Sequence, residues 1–263
     1  KVPGSETLAF SDDGSGRENV TLMVQVPDSF DPARACIVTA TSSGSRGVYG
    51  AISTGEWGLK RGCAVAYTDK GTGSAAHDLR TDTVPRIDGT RTAAGSAAGQ
   101  AAFDAGLTAA ELAAFNAATP DRLAFKHAHS GRNPEKDWGR HTLQAVRLAL
   151  YVLNERYGEL DASGRRRVRL HTGNTLVIAS SVSNGGGAAL AAAEDDREGL
   201  IDGVAVAEPA IEMPANAGVA VQRGASQVPV IGRNLIDFTS YANLYQACAA
   251  LAPALRSPAS SAP

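Results

Sequence analysis

A short run of small residues around Ser183 has the residue types and spacing best suited to covalent chemistry. The run reads Ser181-Val-Ser183-Asn-Gly185 and continues into two further glycines. It follows an apolar segment typical of a strand and precedes an Ala-rich segment typical of a helix, which is the setting of a nucleophile elbow. A serine in such an elbow takes a strained backbone position, so its near neighbours must be small. The spacing therefore predicts Ser183 as a nucleophile, with the backbone N–H of Asn184 facing an oxyanion.

The same glycines also fit a plain strand-to-helix turn of the kind found in dinucleotide-binding folds. Two features favour the elbow: the glycine pattern is not G-x-G-x-x-G, and the turn follows about 170 residues of chain instead of the first strand. The alternative function is a non-catalytic module that binds a nucleotide or another ligand at the amino terminus of the helix over 183–193.

A second oxyanion donor is expected from the loop after an earlier central strand. The apolar strand predicted over 35–41 leads into a loop that contains Ser43, Gly44 and Ser45. Small residues there let a backbone N–H approach a ligand closely, although an ordinary flexible loop would have the same composition.

The histidines stand in the wrong part of the sequence for the general base of an α/β-hydrolase triad. All five precede Ser183: His77, His127, His129, His141 and His171. In this fold the acid and then the histidine follow the nucleophile along the chain. The missing partners are therefore expected from sequence outside this chain. Asp202 and Glu208 do follow the serine, and Glu208 is predicted as a triad acid, a pocket residue or, preferentially, an ion-pair partner.

Alternating apolar strands and helices predict an α/β fold with a mostly parallel sheet and helices on both faces. The predicted strands cover 6–10, 19–26, 35–41, 63–67, 175–179 and 204–207, and the predicted helices lie near 56–60, 108–119, 133–157 and 185–193. The Ala-rich region from about 74 to 130 differs from the rest. It is predicted to be poor in strands, to contain one capped helix, and to form a lid or excursion over the active site.

The overall composition excludes several classes of protein. With 25 basic and 27 acidic residues, the chain lacks the basic excess of a dedicated nucleic-acid binder. No apolar stretch is long enough to span a membrane. The three cysteines, Cys36, Cys63 and Cys248, are too few and too far apart in sequence to predict a disulfide framework or a zinc cluster. His127 and His129 lie in a segment that is either strand or loop, and on a strand they would share a face. With no cysteine or carboxylate cluster nearby, they are expected at the surface or at a pocket rim, and neither a metal nor a cofactor is expected.

Several longer segments resemble the D-(−)-3-hydroxybutyrate oligomer hydrolases, which are bacterial serine esterases of the α/β-hydrolase type. The segments that carry the resemblance are 12–27, 36–50, 57–73, 180–187 and 202–209. The resemblance implies hydrolysis of short 3-hydroxybutyrate oligomers, with Ser183 as the charge-relay serine, and a secreted enzyme.

Members of this family are much longer than 263 residues. We therefore expect residues 1–263 to be the main part of one catalytic domain that is incomplete at both ends. Its expected partners are a small ester substrate and a C-terminal part of the same protein that carries the acid and the histidine. Neither nucleic acid nor a membrane is expected as a partner.

Overall fold

The structure is a computed structural model that describes residues 1–11, 19–44, 46–72, 75–97, 99–126, 133–211, 218, 220–228, 243–246 and 249. The chain divides into two compact units, 1–210 and 211–263. The α-helices of the first unit are α1 (Ile52–Lys60), α2 (Ala109–Ala118), α3 (Trp138–Tyr157) and α4 (Ser183–Asp195). Its strands are β1 (Gly4–Ser11), β2 (Val20–Pro27), β3 (Cys36–Thr41), β4 (Ala64–Thr68), β5 (His77–Asp78), β6 (Thr83–Pro85), β7 (Arg91–Ala93), β8 (Leu123–Ala124), β9 (Leu176–Val182) and β10 (Gly203–Ala207). In the second unit, β11 (Val221–Arg223) and β12 (Ser226–Val228) form an antiparallel hairpin.

Six strands form the central sheet, in the order β1-β2-β4-β3-β9-β10. The four strands β4, β3, β9 and β10 run parallel to one another, whereas β2 is antiparallel to both of its neighbours. All five residues of β4 are buried, as expected for a strand covered on both faces. The predicted mostly parallel sheet is therefore confirmed.

Helices cover both faces of this sheet. The side chains of β2 point alternately to the two faces, so successive residues of this strand join different buried clusters. Val24 and its alternate neighbours join a buried cluster with Val146 and Leu153 of α3. Met23 points to the opposite face and joins Tyr67 and other buried residues there, where α1 packs on β3 and β4. Helix α4 lies beside α3 and packs on β9, so the predicted α/β fold with helices on both faces is confirmed.

A disulfide joins Cys36 at the start of β3 to Cys63 just before β4. The two strands are parallel neighbours, and Ile37 lies opposite Ala64 in their register. No disulfide framework was expected, and this single bridge between Cys36 and Cys63 was not predicted. A β–α–β crossover returns the chain to the same end of the sheet, so residues 27 apart in sequence become adjacent in space. Cys248 lies outside the described residues.

The region after β4 contains more strand than its composition predicts. Strands β7, β6, β5 and β8 form a small antiparallel sheet in that order. The predicted helix is present as α2, and the side chains of Thr108 and Glu111 form the reciprocal capping box expected at its start. The segment is poor in strand-forming residues, as predicted, but this small sheet was not predicted, because strands of two or three residues are too short to show a period in the sequence. That this region forms a lid remains a prediction.

Helix α3 begins later than its sequence signal indicates. Oδ1 of Asn133 accepts a hydrogen bond from the N–H of Glu135, as expected of a cap, but a 3-10 turn over 135–137 comes first. The helix then runs from Trp138 to Tyr157 and ends at Gly158 as predicted. No helix in the described ranges is long and apolar enough to cross a membrane.

Candidate active site

Ser183 lies at the point where β9 becomes α4. The strand ends at Val182 and the helix starts at Ser183 without an intervening loop. Ser183 has a φ of 56°, a left-handed conformation that residues other than glycine seldom adopt, and it is exposed. A strained, exposed serine between a central strand and a helix is the α/β-hydrolase arrangement, so the predicted fold type is confirmed.

The small residues on either side of Ser183 allow α4 to approach the sheet. A side chain on Gly185 would collide with the carbonyl oxygen of Thr41 and would lie 2.5 Å from Oγ of Ser181. Ser181 is buried and donates a 2.6 Å hydrogen bond to the same Thr41 carbonyl. The predicted reason for small residues at these positions is therefore visible in the packing.

Two further glycines make room for the segment that follows β10. A Cβ atom on Gly187 would lie 2.5 Å from the carbonyl oxygen of Ala210, and one on Gly186 would lie 3.2 Å from Cα of Pro209. The N–H of Ala210 donates a 2.9 Å hydrogen bond to the carbonyl of Ser183. Close packing and this hydrogen bond thus hold the chain after β10 against the elbow.

The loop after β3 reaches the elbow through Gly44. The N–H of Gly44 donates a 2.6 Å hydrogen bond to Oδ1 of Asn184, and Gly44 has a φ of 66° that suits glycine. This N–H was expected to be available for an oxyanion, but the Asn184 side chain accepts its hydrogen bond. Of the other loop candidates, Ser43 is buried and Ser45 lies outside the described residues. The loop's contribution to an oxyanion hole stays a prediction.

The other predicted donor is the backbone N–H of Asn184, which lies in the first turn of α4. The first N–H groups of a helix have no partner within it, and the helix dipole places partial positive charge there. Asn184 is the second residue of α4, directly after the exposed Ser183. Its backbone N–H can therefore serve an oxyanion that forms beside the Ser183 hydroxyl, while its side chain holds the β3 loop.

Sequence reasoning overlooked Lys70, which follows β4 at the same edge of the sheet. Its side chain is fully buried, and its backbone has a φ of 49°. Nζ donates hydrogen bonds to the carbonyl of Gly44 at 2.7 Å and to Oγ1 of Thr72 at 3.1 Å, and it lies 5.0 Å from the ring centroid of Trp138. Burial lowers the pKa of Lys70 to about 8, since removing a cation from water favours its neutral form. The sequence feature that could have indicated Lys70 is the run of polar residues at the end of a buried strand.

Asp69 beside Lys70 has a structural role. Its buried carboxylate accepts hydrogen bonds from the N–H of Thr21 at 3.1 Å and of Gly71 at 2.8 Å. Burial raises the pKa of Asp69, and the charge of Lys126 opposes that effect. The carboxylate fixes the turn from which Lys70 projects.

The side chains of the described histidines form hydrogen bonds with groups other than Ser183. His77 is buried, with Nε2 3.0 Å from Oδ1 of Asp82, and its Nδ1 accepts the N–H of Ala105 at 3.2 Å. His141 lies in α3 with Nδ1 3.1 Å from Oε1 of Gln144, and burial lowers its pKa. Nδ1 of His171 accepts the N–H of Gly173. His127 and His129 lie outside the described residues.

The two acids that follow the elbow differ in their surroundings. Oδ2 of Asp202 accepts the N–H of Val177 at 2.8 Å, which is a structural bond beside β9. Glu208 is exposed directly after β10, with a φ of 47°. Within the described ranges Glu208 forms no ion pair, and each of the roles expected for it stays a prediction. The described part of the chain has no cluster of three or more His, Cys, Asp or Glu that could hold a metal.

Comparison with known proteins gives a family match over residues 1–262, to the model described as 3HB-oligomer hydrolase. Curated relatives named D-(-)-3-hydroxybutyrate oligomer hydrolase include one from Paracidovorax citrulli, 70% identical over 256 residues, which cover 97% of this chain and 36% of the relative. A second relative, from Cupriavidus necator, is 64% identical over 97% of this chain and 36% of its own length. The chain therefore spans about a third of the length of the relatives it matches.

Two hydrolases are among the solved structures whose backbones are similar to part of this chain. One is the dienelactone hydrolase-like promiscuous phosphotriesterase P91 from metagenomic libraries, with a TM-score of 0.39, 15% identity and coverage of 82% of this chain and 63% of that one. The other is esterase Est22, with a TM-score of 0.38, 14% identity and coverage of 82% and 47%. Neither likeness bears on the substrate.

Proposed function

The chain belongs to the 3HB-oligomer hydrolase family, and from that premise we propose that it carries the nucleophile of a serine esterase that hydrolyses short (R)-3-hydroxybutyrate oligomers and dimers to monomers. The observation that carries the proposal is the exposed Ser183 at φ 56° between β9 and α4. A left-handed serine at the carboxyl edge of a parallel sheet is costly to hold and suits a nucleophile.

The reaction begins when Oγ of Ser183 attacks the ester carbonyl carbon. A general base takes the hydroxyl proton, and the carbonyl oxygen becomes an oxyanion beside the N–H of Asn184. Collapse of this intermediate breaks the ester C–O bond, and the returned proton goes to the departing alcohol, which is a shorter oligomer or a monomer. Water then attacks the acyl-enzyme and releases the acid product with Ser183 restored.

The general base and its acid are proposed to come from the part of the protein outside this chain. Two facts support this: the described histidines are bonded elsewhere, and the chain spans 36% of the P. citrulli relative. In the α/β-hydrolase chain order these partners follow the serine.

Secretion is proposed for the same enzyme. The Cys36–Cys63 disulfide supports it, because disulfides persist in oxidising compartments and are rare in the reducing cytosol of most bacteria.

A fluorophosphonate probe tests the nucleophile in the full-length protein. The probe is expected to label Ser183, and Ser183→Ala should abolish both the labelling and hydrolysis of a 3-hydroxybutyrate dimer. Ser180→Ala, three residues earlier in β9, is the matched control and should label normally. The alternative ligand-binding module would leave Ser183 unlabelled, and relatives named as hydrolases do not favour it.

A further inference from the structure

Three neighbouring strands bring Lys70, Gly44 and Asn184 to one edge of the sheet. Lys70 follows β4, Gly44 follows β3 and Asn184 follows β9, and these strands lie side by side and parallel. The carboxyl ends of parallel strands meet at one edge, where α/β proteins place their reactive groups. Lys70 therefore belongs to the same edge as the nucleophile, although the two residues are far apart in the sequence.

Two hydrogen bonds connect the three residues in series. Nζ of Lys70 donates to the carbonyl oxygen of Gly44 at 2.7 Å, and the N–H of Gly44 donates to Oδ1 of Asn184 at 2.6 Å. The carbonyl oxygen and the N–H of Gly44 are thus both hydrogen-bonded, the first to Lys70 and the second to Asn184. Glycine alone would leave this loop free to turn, so the bonds supply the rigidity that an oxyanion hole needs.

The partners that the structure shows for the buried ammonium group of Lys70 are neutral groups. It donates to Gly44 and Thr72 and lies against the Trp138 ring, and within the described ranges no ion pair includes it. A buried ammonium is costly, and a neutral side chain would fill the same space at lower cost. The positive charge of Lys70 at this buried position therefore needs a functional explanation.

We propose that Lys70 is a positioning residue for ester hydrolysis: its ammonium group fixes the loop after β3 against the nucleophile elbow and holds a positive charge behind that loop. The inference rests on the proposed esterase function. Lys70 acts through Gly44 and Asn184 and needs no contact with the substrate.

This role has a pH signature. Burial lowers the pKa of Lys70 to about 8; Asp69 and Glu135 favour its charged form, and Arg46 opposes it. The ammonium is present below that pKa and is lost as pH rises through it, so kcat should fall above about pH 8. An arginine stays charged across that range and should remove the fall.

The experiment measures kcat and KM on a 3-hydroxybutyrate dimer from pH 6 to 10 with the full-length enzyme. Lys70→Met should lower kcat roughly 10- to 100-fold, as expected when a catalytic group is misplaced, with a change in KM of less than about threefold. Lys70→Arg should keep more activity and lose the fall above pH 8. Lys60→Met, which removes an exposed ammonium paired with Glu56 on α1, is the control and should keep the wild-type kcat and pH profile.

Two results would overturn the inference: a Lys70→Met kcat within twofold of wild type, or an alkaline limb that Lys70→Arg leaves unchanged. If Lys70→Met fails to fold, the wild-type and Lys70→Arg profiles still decide. Failure of the esterase function itself would appear separately, as an unlabelled Ser183 and a Ser183→Ala variant that keeps its turnover.

Discussion

The side chain of Asn184 accepts the N–H of Gly44 at 2.6 Å, which ties the elbow after β9 to the loop after β3. In the proposed mechanism Asn184 has a second task, because its own backbone N–H lies in the first turn of α4 and would face the oxyanion. Substitutions of Asn184 can separate these tasks, because they remove the side chain and keep the backbone donor.

We expect Asn184→Ala to lower the free energy of unfolding by about 1–2 kcal/mol, because the Gly44 N–H loses its acceptor. Asn184→Asp keeps an acceptor and should retain more of that stability. Its negative charge, however, should lower kcat by disfavouring the oxyanion. Urea unfolding and dimer hydrolysis measure the two effects. Equal stability of wild type and Asn184→Ala would show that the bond to Gly44 contributes nothing.

Ser183→Ala should lower kcat by several orders of magnitude while the protein stays folded. Ser183→Gly should be equally inactive but more stable than Ser183→Ala by about 1 kcal/mol, because glycine adopts a φ of 56° without strain. Turnover and thermal unfolding of the two variants test this pair. Retention of even a few per cent of wild-type turnover would exclude Ser183 as the nucleophile.

Gly185→Val should destabilise the protein by roughly 3 kcal/mol or more, because its side chain would collide with the carbonyl of Thr41. Gly95→Val is the matched control, since a Cβ there meets nothing within 4 Å. Thermal unfolding should show a large loss for the first variant and a small one for the second. Similar melting temperatures would mean that α4 does not pack closely on β3.

Replacing Cys36 and Cys63 together by serine should lower the free energy of unfolding by roughly 3–4 kcal/mol, from the entropy of a loop closed over a separation of 27 residues. Non-reducing peptide mapping should find the two cysteines in one cross-linked peptide. Cys248→Ser is the control. An unchanged unfolding midpoint in the double variant would count against a stabilising bridge.

The polypeptide of residues 1–263 by itself should not hydrolyse the dimer, even where it folds. It contains Ser183, but all five histidines precede the serine, and His77, His141 and His171 are bonded elsewhere. Addition of the remaining part of the protein should restore turnover. Full activity of the 1–263 polypeptide would place the general base on one of the five histidines.

The elbow was predictable because its signal is local. A strand, a small–x–Ser–x–Gly turn and an Ala-rich helix occupy consecutive positions, and the structure places Ser183 at the junction as the spacing indicates. The main strands were predictable for the same reason, since each is a continuous apolar or alternating run.

The contacts of Lys70 were not predictable, because they depend on the spatial order of the strands. Sequence shows that Lys70 and Gly44 each follow a strand, but not that β4 and β3 are neighbours. The Cys36–Cys63 bridge was missed for that reason as well. The small sheet was missed because β5 and β8 have two residues each, fewer than one period of alternation needs.

The Cys36–Cys63 bridge braces the amino ends of β3 and β4, whereas Gly44 and Lys70 follow the carboxyl ends of the same two strands. The disulfide and the residues proposed to support catalysis therefore lie at opposite ends of β3 and β4. A mild reductant should therefore shorten the working lifetime of the enzyme and leave each surviving molecule turning over at its normal rate. We therefore expect stability and catalytic rate to respond separately to changes at opposite edges of one sheet.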